Sequence, residues 1–131
     1  MKFSIEHIAI WVEDLEKTKD FYVKYFGGRV GEMYFNEKKD FRSYFVSFSS
    51  GARLELMNRG IIPPDPNQKQ EVQGITHFAF EVESQAAVDK LTETLREDGF
   101  TIAGEPRHTG DGFYESVVLD PEKNRLEIMA I

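Results

Sequence analysis

Four side chains in this chain have the types and spacing to hold a divalent cation: His7, Glu55, His77 and Glu127. Two neutral imidazoles and two carboxylates balance a doubly charged ion, suit first-row transition metals and leave positions for water or substrate oxygens. The chain has no cysteine, so any metal must be held by nitrogen and oxygen, and neither a disulfide nor a cysteine nucleophile enters the chemistry.

The four residues recur in matched settings. Ile5-Glu-His-Ile-Ala-Ile-Trp-Val12 is echoed by Ile75-Thr-His-Phe-Ala-Phe-Glu-Val82, and Arg53-Leu-Glu-Leu-Met57 by Arg125-Leu-Glu-Ile-Met129. His77 follows His7 by 70 residues and Glu127 follows Glu55 by 72. So small a difference in spacing is what a duplicated supersecondary unit shows, because length changes collect in loops.

Each half reads β-α-β-β-β, and together they give an α+β fold with mixed sheets. In the first, Ile5 to Val12 is a strand, and Asp14 caps a helix that runs to Phe26 and stops at Gly27-Gly28. Strands over Arg29 to Tyr34, Ser43 to Phe48 and Ala52 to Met57 follow. In the second, Ser84 caps a helix with a Val88, Leu91, Leu95 stripe that ends at Gly99. Strands over Phe100 to Ala103, Tyr114 to Leu119 and Arg125 to Ala130 complete it. The expected organisation is one domain over 1–131, with a first module 1–58, a linker 59–74 rich in proline and polar residues, and a second module 75–131.

Alternation along strands puts Ile8, Ile10 and Val12 under a helix and His7, Ala9 and Trp11 on the other face; Leu54 and Leu56 pack inward while Glu55 faces away. The second module repeats this, with His77 and Glu127 on the face opposite its helix. On a flat, solvated sheet such alternation is simply the exposed side. If the face is a trough, two carboxylates are desolvated together and a cation relieves the cost.

With these motifs, and with the Gly110-Asp-Gly-Phe-Tyr114 loop and the Asp120-Pro121 turn, the whole chain resembles the vicinal-oxygen-chelate superfamily, and within it the glyoxalase I (lactoylglutathione lyase) branch and the bleomycin resistance proteins. The resemblance implies two βαβββ modules forming a curved, open, barrel-like trough with helices outside. It further implies one divalent metal on His7, Glu55, His77 and Glu127, with nickel or cobalt favoured and zinc admissible, in a homodimer whose site is often completed between two chains. The implied activity is that of a metal-dependent lyase or isomerase acting on an α-oxo aldehyde–thiol hemithioacetal or a related α-hydroxycarbonyl. Its proton transfer would pass through an enediolate, with Glu127 as base and Glu55 as the second choice.

Trp11, Phe45, Met57 and Met129 are candidate walls of an apolar substrate pocket, with ordinary packing the competing reading. Glyoxalase I holds a glutathione carboxylate with a basic residue four positions after its first ligand, a place taken here by Trp11. Asn58 matches a family asparagine with a one-residue shift. Arg107, with His108, is placed in a loop from which it could meet an anionic substrate group. The alternatives are a small-molecule or antibiotic-binding protein, with or without metal, and an epimerase or thiol transferase of the same superfamily.

Composition excludes other classes. A net charge of −7 and a pI near 5.0 disfavour nucleic acid. Glu6 and His7 interrupt the apolar N-terminal stretch, which offers neither a signal-peptide core nor a membrane span of roughly 20 apolar residues. A cytoplasmic protein with a small-molecule substrate is the expectation.

Overall fold

Apolar alternation and two well-capped helices organise each half of the chain. A computed structural model describes residues 1–67 and 71–131. It divides into two compact units, Met1–Pro64 and Asp65–Ile131. The linker expected over 59–74 lies partly outside the described residues; in its described part, the preceding strand runs on through Arg59.

The first unit contains β1 (His7–Trp11), α1 (Leu15–Phe26), β2 (Arg29–Val30), β3 (Tyr34–Asn36), β4 (Phe41–Ser47) and β5 (Arg53–Arg59). Asp14 caps α1 by accepting from the Lys17 N–H at 3.0 Å, and Gly27 ends it in the left-handed region at φ 64°. The next residue, Gly28, leaves no room for a side chain: a Cβ there would stand 2.5 Å from Val46 Cγ1. The sheet order is β1-β5-β4-β2, with β3 also on β4. β1 runs parallel to β5 and the other pairs are antiparallel.

The single strand expected over Arg29 to Tyr34 is two short strands. Val30 pairs with Val46 and Tyr34 with Ser43, so three residues on one side face two on β4 and the ladder breaks at the surplus. Gly31 at this point offers no side chain to hold either register.

The second unit contains β6 (His77–Glu81), α2 (Gln85–Glu97), β7 (Ile102–His108), β8 (Tyr114–Leu119) and β9 (Arg125–Ala130). Ser84 caps α2 by accepting from the Ala87 N–H at 3.1 Å. The sheet order is β6-β9-β8-β7, with β6 parallel to β9. Expected over Phe100 to Ala103, the first strand after the helix is instead β7, which carries Arg107 and His108 at its end rather than in a loop. It tolerates Pro106 because it is an edge strand with two register shifts against β8.

Both units therefore carry an open mixed sheet and one helix, an α+β fold of two modules. Leu54, Leu56 and Val46 are buried in the first with Phe21 and Tyr22 of α1; Leu126, Ile128 and Val118 are buried in the second with Val88 and Leu95 of α2. Thr92, fully buried, hydrogen-bonds Ser116 Oγ at 2.7 Å and gives its sheet–helix interface a satisfied polar contact. These cores fix which strand face is left for chemistry. Among the described residues no helix is long and apolar enough to cross a membrane.

Candidate metal centre

The parallel pairing of first and last strands creates a ligand pair in each module. In the first, Ala9 of β1 lies beside Glu55 of β5, one step from His7 on the same face, and His7 Nε2 stands 3.7 Å from Glu55 Oε1. In the second, Ala79 lies beside Glu127 and His77 Nε2 stands 3.0 Å from Glu127 Oε1. Two donors that each sit about 2.1 Å from one ion are roughly 3.0–3.4 Å apart for right-angle to tetrahedral coordination. The second pair falls in that range, and the first is a few tenths of an ångström wider. Each pair thus fits two neighbouring positions on one ion. The carboxylates are the covered partners, with 15% and 20% of their side chains exposed, against 42% and 38% for the imidazoles. Within each module, among the described residues, no third His, Asp or Glu joins the pair as a potential ligand.

The surroundings of the two pairs differ. Phe45 is the cross-strand partner of Glu55, and its ring meets His7 edge-on at 5.3 Å. Arg53 lies over Phe45 at 4.1 Å and pairs with Glu6, whose other oxygen accepts from His7 Nδ1 at 2.7 Å. Hydrogen bonds from Arg53 first, then from His7, hold the Glu6 carboxyl below its usual range. Trp11, 40% exposed, stands edge-on to Phe41 at 6.2 Å and carries Arg59 over its ring at 5.5 Å.

In the second module, Val117 takes the place of Phe45 opposite Glu127, and Glu115, buried on β8, lies within hydrogen-bonding reach of Glu127. Burial above all, with help from Glu115, pushes the Glu127 carboxyl up, while His77 and Arg107 pull the other way. Arg107 also donates to the Glu115 carbonyl at 3.3 Å.

Met57 and Met129 are half-buried and share the strand face of their ligand pairs, as do Trp11 and Phe45. Asn58 does not. One residue on from Met57, it turns to the helix side, where its amide donates to the carbonyls of Val12 at 2.9 Å and Glu13 at 3.2 Å. It pins the junction of β1 and α1 from the face opposite Glu55, which corrects its expected place among the substrate contacts. Sequence reasoning passed over Glu6, Arg53 and Glu115. The repeated Arg53/Arg125 and the lone acid in Tyr-Glu-Ser-Val-Val-Leu were the signals available for them.

The profile of the Glyoxalase/Bleomycin resistance protein/Dioxygenase superfamily matches residues 4–128. The chain belongs to this superfamily. It is 34% identical to the uncharacterized protein YwkD of Bacillus subtilis (strain 168) over 130 residues, 95% of this chain and 94% of that one. Among solved structures it resembles a glyoxylase/bleomycin resistance protein/dioxygenase domain from Frankia sp. EAN1pec, with TM-score 0.81, 18% identity and coverage of 99% and 98% of the two chains. It also resembles the trypanothione-dependent glyoxalase I of Leishmania major, with TM-score 0.77, 22% identity and coverage of 98% and 87%. Members of the superfamily generally bind a divalent metal and a small molecule and often dimerise, and glyoxalase I enzymes are among them.

Proposed function

We propose that this protein is a metal-dependent lyase or isomerase of the glyoxalase I type, in which His7, Glu55, His77 and Glu127 together hold one divalent ion. The supporting observation is the presence, at equivalent registers of twin modules, of two His–Glu pairs with ligand-to-ligand spacing. Neither pair suffices for a tightly held ion, and the two together supply a neutral, four-donor set. Nickel or cobalt is our expected metal, zinc a competent substitute, and a second copy of the chain the expected partner.

Held by these four residues, the ion would supply Lewis-acid polarisation of the substrate carbonyl, which would make the carbon next to it more acidic. Glu127 takes the proton from that carbon and returns it to the neighbouring one. Its place beside His77 suits the task, because a carboxylate ligand displaced by substrate stands close to the carbon that loses the proton. Glu55 is the second candidate for that role. Trp11, Phe45 and the two methionines supply apolar surface for the substrate body, and Arg107 a cationic edge. The substrate class is an α-oxo aldehyde–thiol hemithioacetal or a related α-hydroxycarbonyl.

A binding protein of the bleomycin-resistance type is the second reading, favoured by the aromatic group on the first sheet in which exposed Trp11 and Tyr34 meet half-buried Phe41. An assay of methylglyoxal with glutathione and with other thiols, with nickel, cobalt and zinc in turn, separates the two. Turnover that disappears on chelation and returns with metal is the expected result. Saturable ligand binding with no turnover under any metal selects the second reading.

A further inference from the structure

Glu6 precedes His7 at the start of β1, and four groups there close a ring of contacts. His7 Nδ1 meets Glu6 Oε2 at 2.7 Å, Glu6 Oε1 pairs with Arg53 Nη2, the Arg53 guanidinium lies 4.1 Å over the Phe45 ring, and Phe45 meets the His7 ring edge-on at 5.3 Å. The backbone reinforces the ring, since the Arg53 N–H donates to the Glu6 carbonyl at 2.8 Å. A carboxylate only accepts hydrogen bonds, so the proton in the His7–Glu6 bond sits on Nδ1. In a neutral imidazole, Nε2 is then a bare lone pair. It faces Glu55 Oε1, another acceptor, across 3.7 Å, too far for a hydrogen bond and with no proton to make one. Two acceptors placed in this way leave room for a shared donor or a cation between them.

We infer that Glu6, held in place by Arg53, is a positioning residue for His7: it accepts the Nδ1 proton, fixes the ring against Phe45 and presents the unprotonated Nε2 to a metal ion beside Glu55. The metal half of this inference rests on the proposed function, while the tautomer half stands by itself. Outer-sphere carboxylates of this kind fix ring orientation and raise ligand basicity, and their loss typically costs ten- to a hundredfold in metal affinity. The second module lacks the device. Thr76 stands where Glu6 does, and Val117 where Phe45 does, so His77 is offered neither a carboxylate nor an aromatic edge from these positions.

The experiment pairs two readouts on the full-length protein. Long-range nitrogen–proton NMR at mildly alkaline pH, where imidazole is neutral, reports the His7 tautomer, and calorimetric titration with nickel reports affinity. In the wild type, the proton of His7 is expected on Nδ1. Glu6→Ala should release that tautomer and weaken nickel binding about ten- to a hundredfold, whereas Glu6→Gln, whose amide oxygen still accepts, should retain most of both. Thr76→Ala, the equivalent change in the other module, should alter neither. A wild-type His7 protonated on Nε2, or a Glu6→Ala protein with unchanged tautomer or unchanged nickel affinity, overturns the inference. If the tautomer shifts as expected but the wild type binds none of nickel, cobalt or zinc, the clamp is upheld and the metal reading falls instead.

Discussion

The two modules share a strand order and a ligand register, yet surround their ligands differently. In the first, Glu6 and Phe45 contact His7, and Arg53 lies over Phe45 while pairing with Glu6. In the second, Glu127 lies beside Glu115 and Val117 on a partly desolvated patch. Duplication has thus preserved the backbone that places a His and a Glu side by side, while the neighbours have diverged. The first module surrounds its imidazole with polar and aromatic partners, and the second sets its carboxylate beside a buried acid. On this account metal holding and proton transfer fall unequally on two halves of the same design.

The largest expected contrast is in catalysis. With metal saturating, Glu127→Gln should lower kcat by about 10²–10⁴-fold, the usual weight of a general base, whereas Glu55→Gln should act mainly by weakening metal binding. Steady-state kinetics over a metal titration distinguish the two. Equal kcat losses in both variants at saturating metal would remove the asymmetry.

Stability should show the shared design. Leu54 and Leu126, both buried, occupy the same place between ligand strand and helix. Substitution of either by alanine should cost about 2–5 kcal/mol in denaturant unfolding, with similar values at the two sites.

The turns before the ligand strands should differ more. Buried Asp120 accepts from the N–H groups of Glu122 and Asn124 and from the Asn124 amide, at 2.8, 2.9 and 3.0 Å. Asp120→Ala should therefore cost about 1–3 kcal/mol. In the first module the turn before β5 relies on Gly51 at φ 81°, and Ser50→Ala should be close to neutral.

The smallest effect concerns pH. Glu127 is pushed up in the fold, so without metal the folded state holds a proton more tightly there than the unfolded chain does. Its contribution is fully present below the ordinary carboxylate pKa and is lost as pH rises through the raised value. Metal-free Glu127→Gln should therefore melt slightly above wild type at neutral pH, and the difference should shrink as the pH is taken below that window. A Tm difference independent of pH would contradict the assignment.

Much of this was legible in the sequence because it rests on local rules. The two echoed motifs gave the duplication, period-two alternation put the His and Glu of each module on the face opposite its helix, and Asp14, Gly27 and Ser84 marked helix ends. What stayed hidden depends on pairing partners. The extra residue between Val30 and Tyr34 has meaning only against β4, and the extension of β7 to His108 only against β8. Asn58 read as a neighbour of the ligand, although a one-residue step on a strand reverses its face. Glu6 and Arg53 are 47 positions apart and meet because β1 and β5 run parallel.

The most direct test of the shared metal site is the metal content of His7→Ala, His77→Ala and an equimolar mixture of the two after subunit exchange. If one pair from each of two chains completes a site, wild type holds about one ion per chain, in keeping with a four-ligand set. Either variant alone then loses it, and the mixture regains a fraction through hybrids in which both intact pairs meet. Should both single variants keep the full wild-type complement of metal, the two His–Glu pairs do not share an ion.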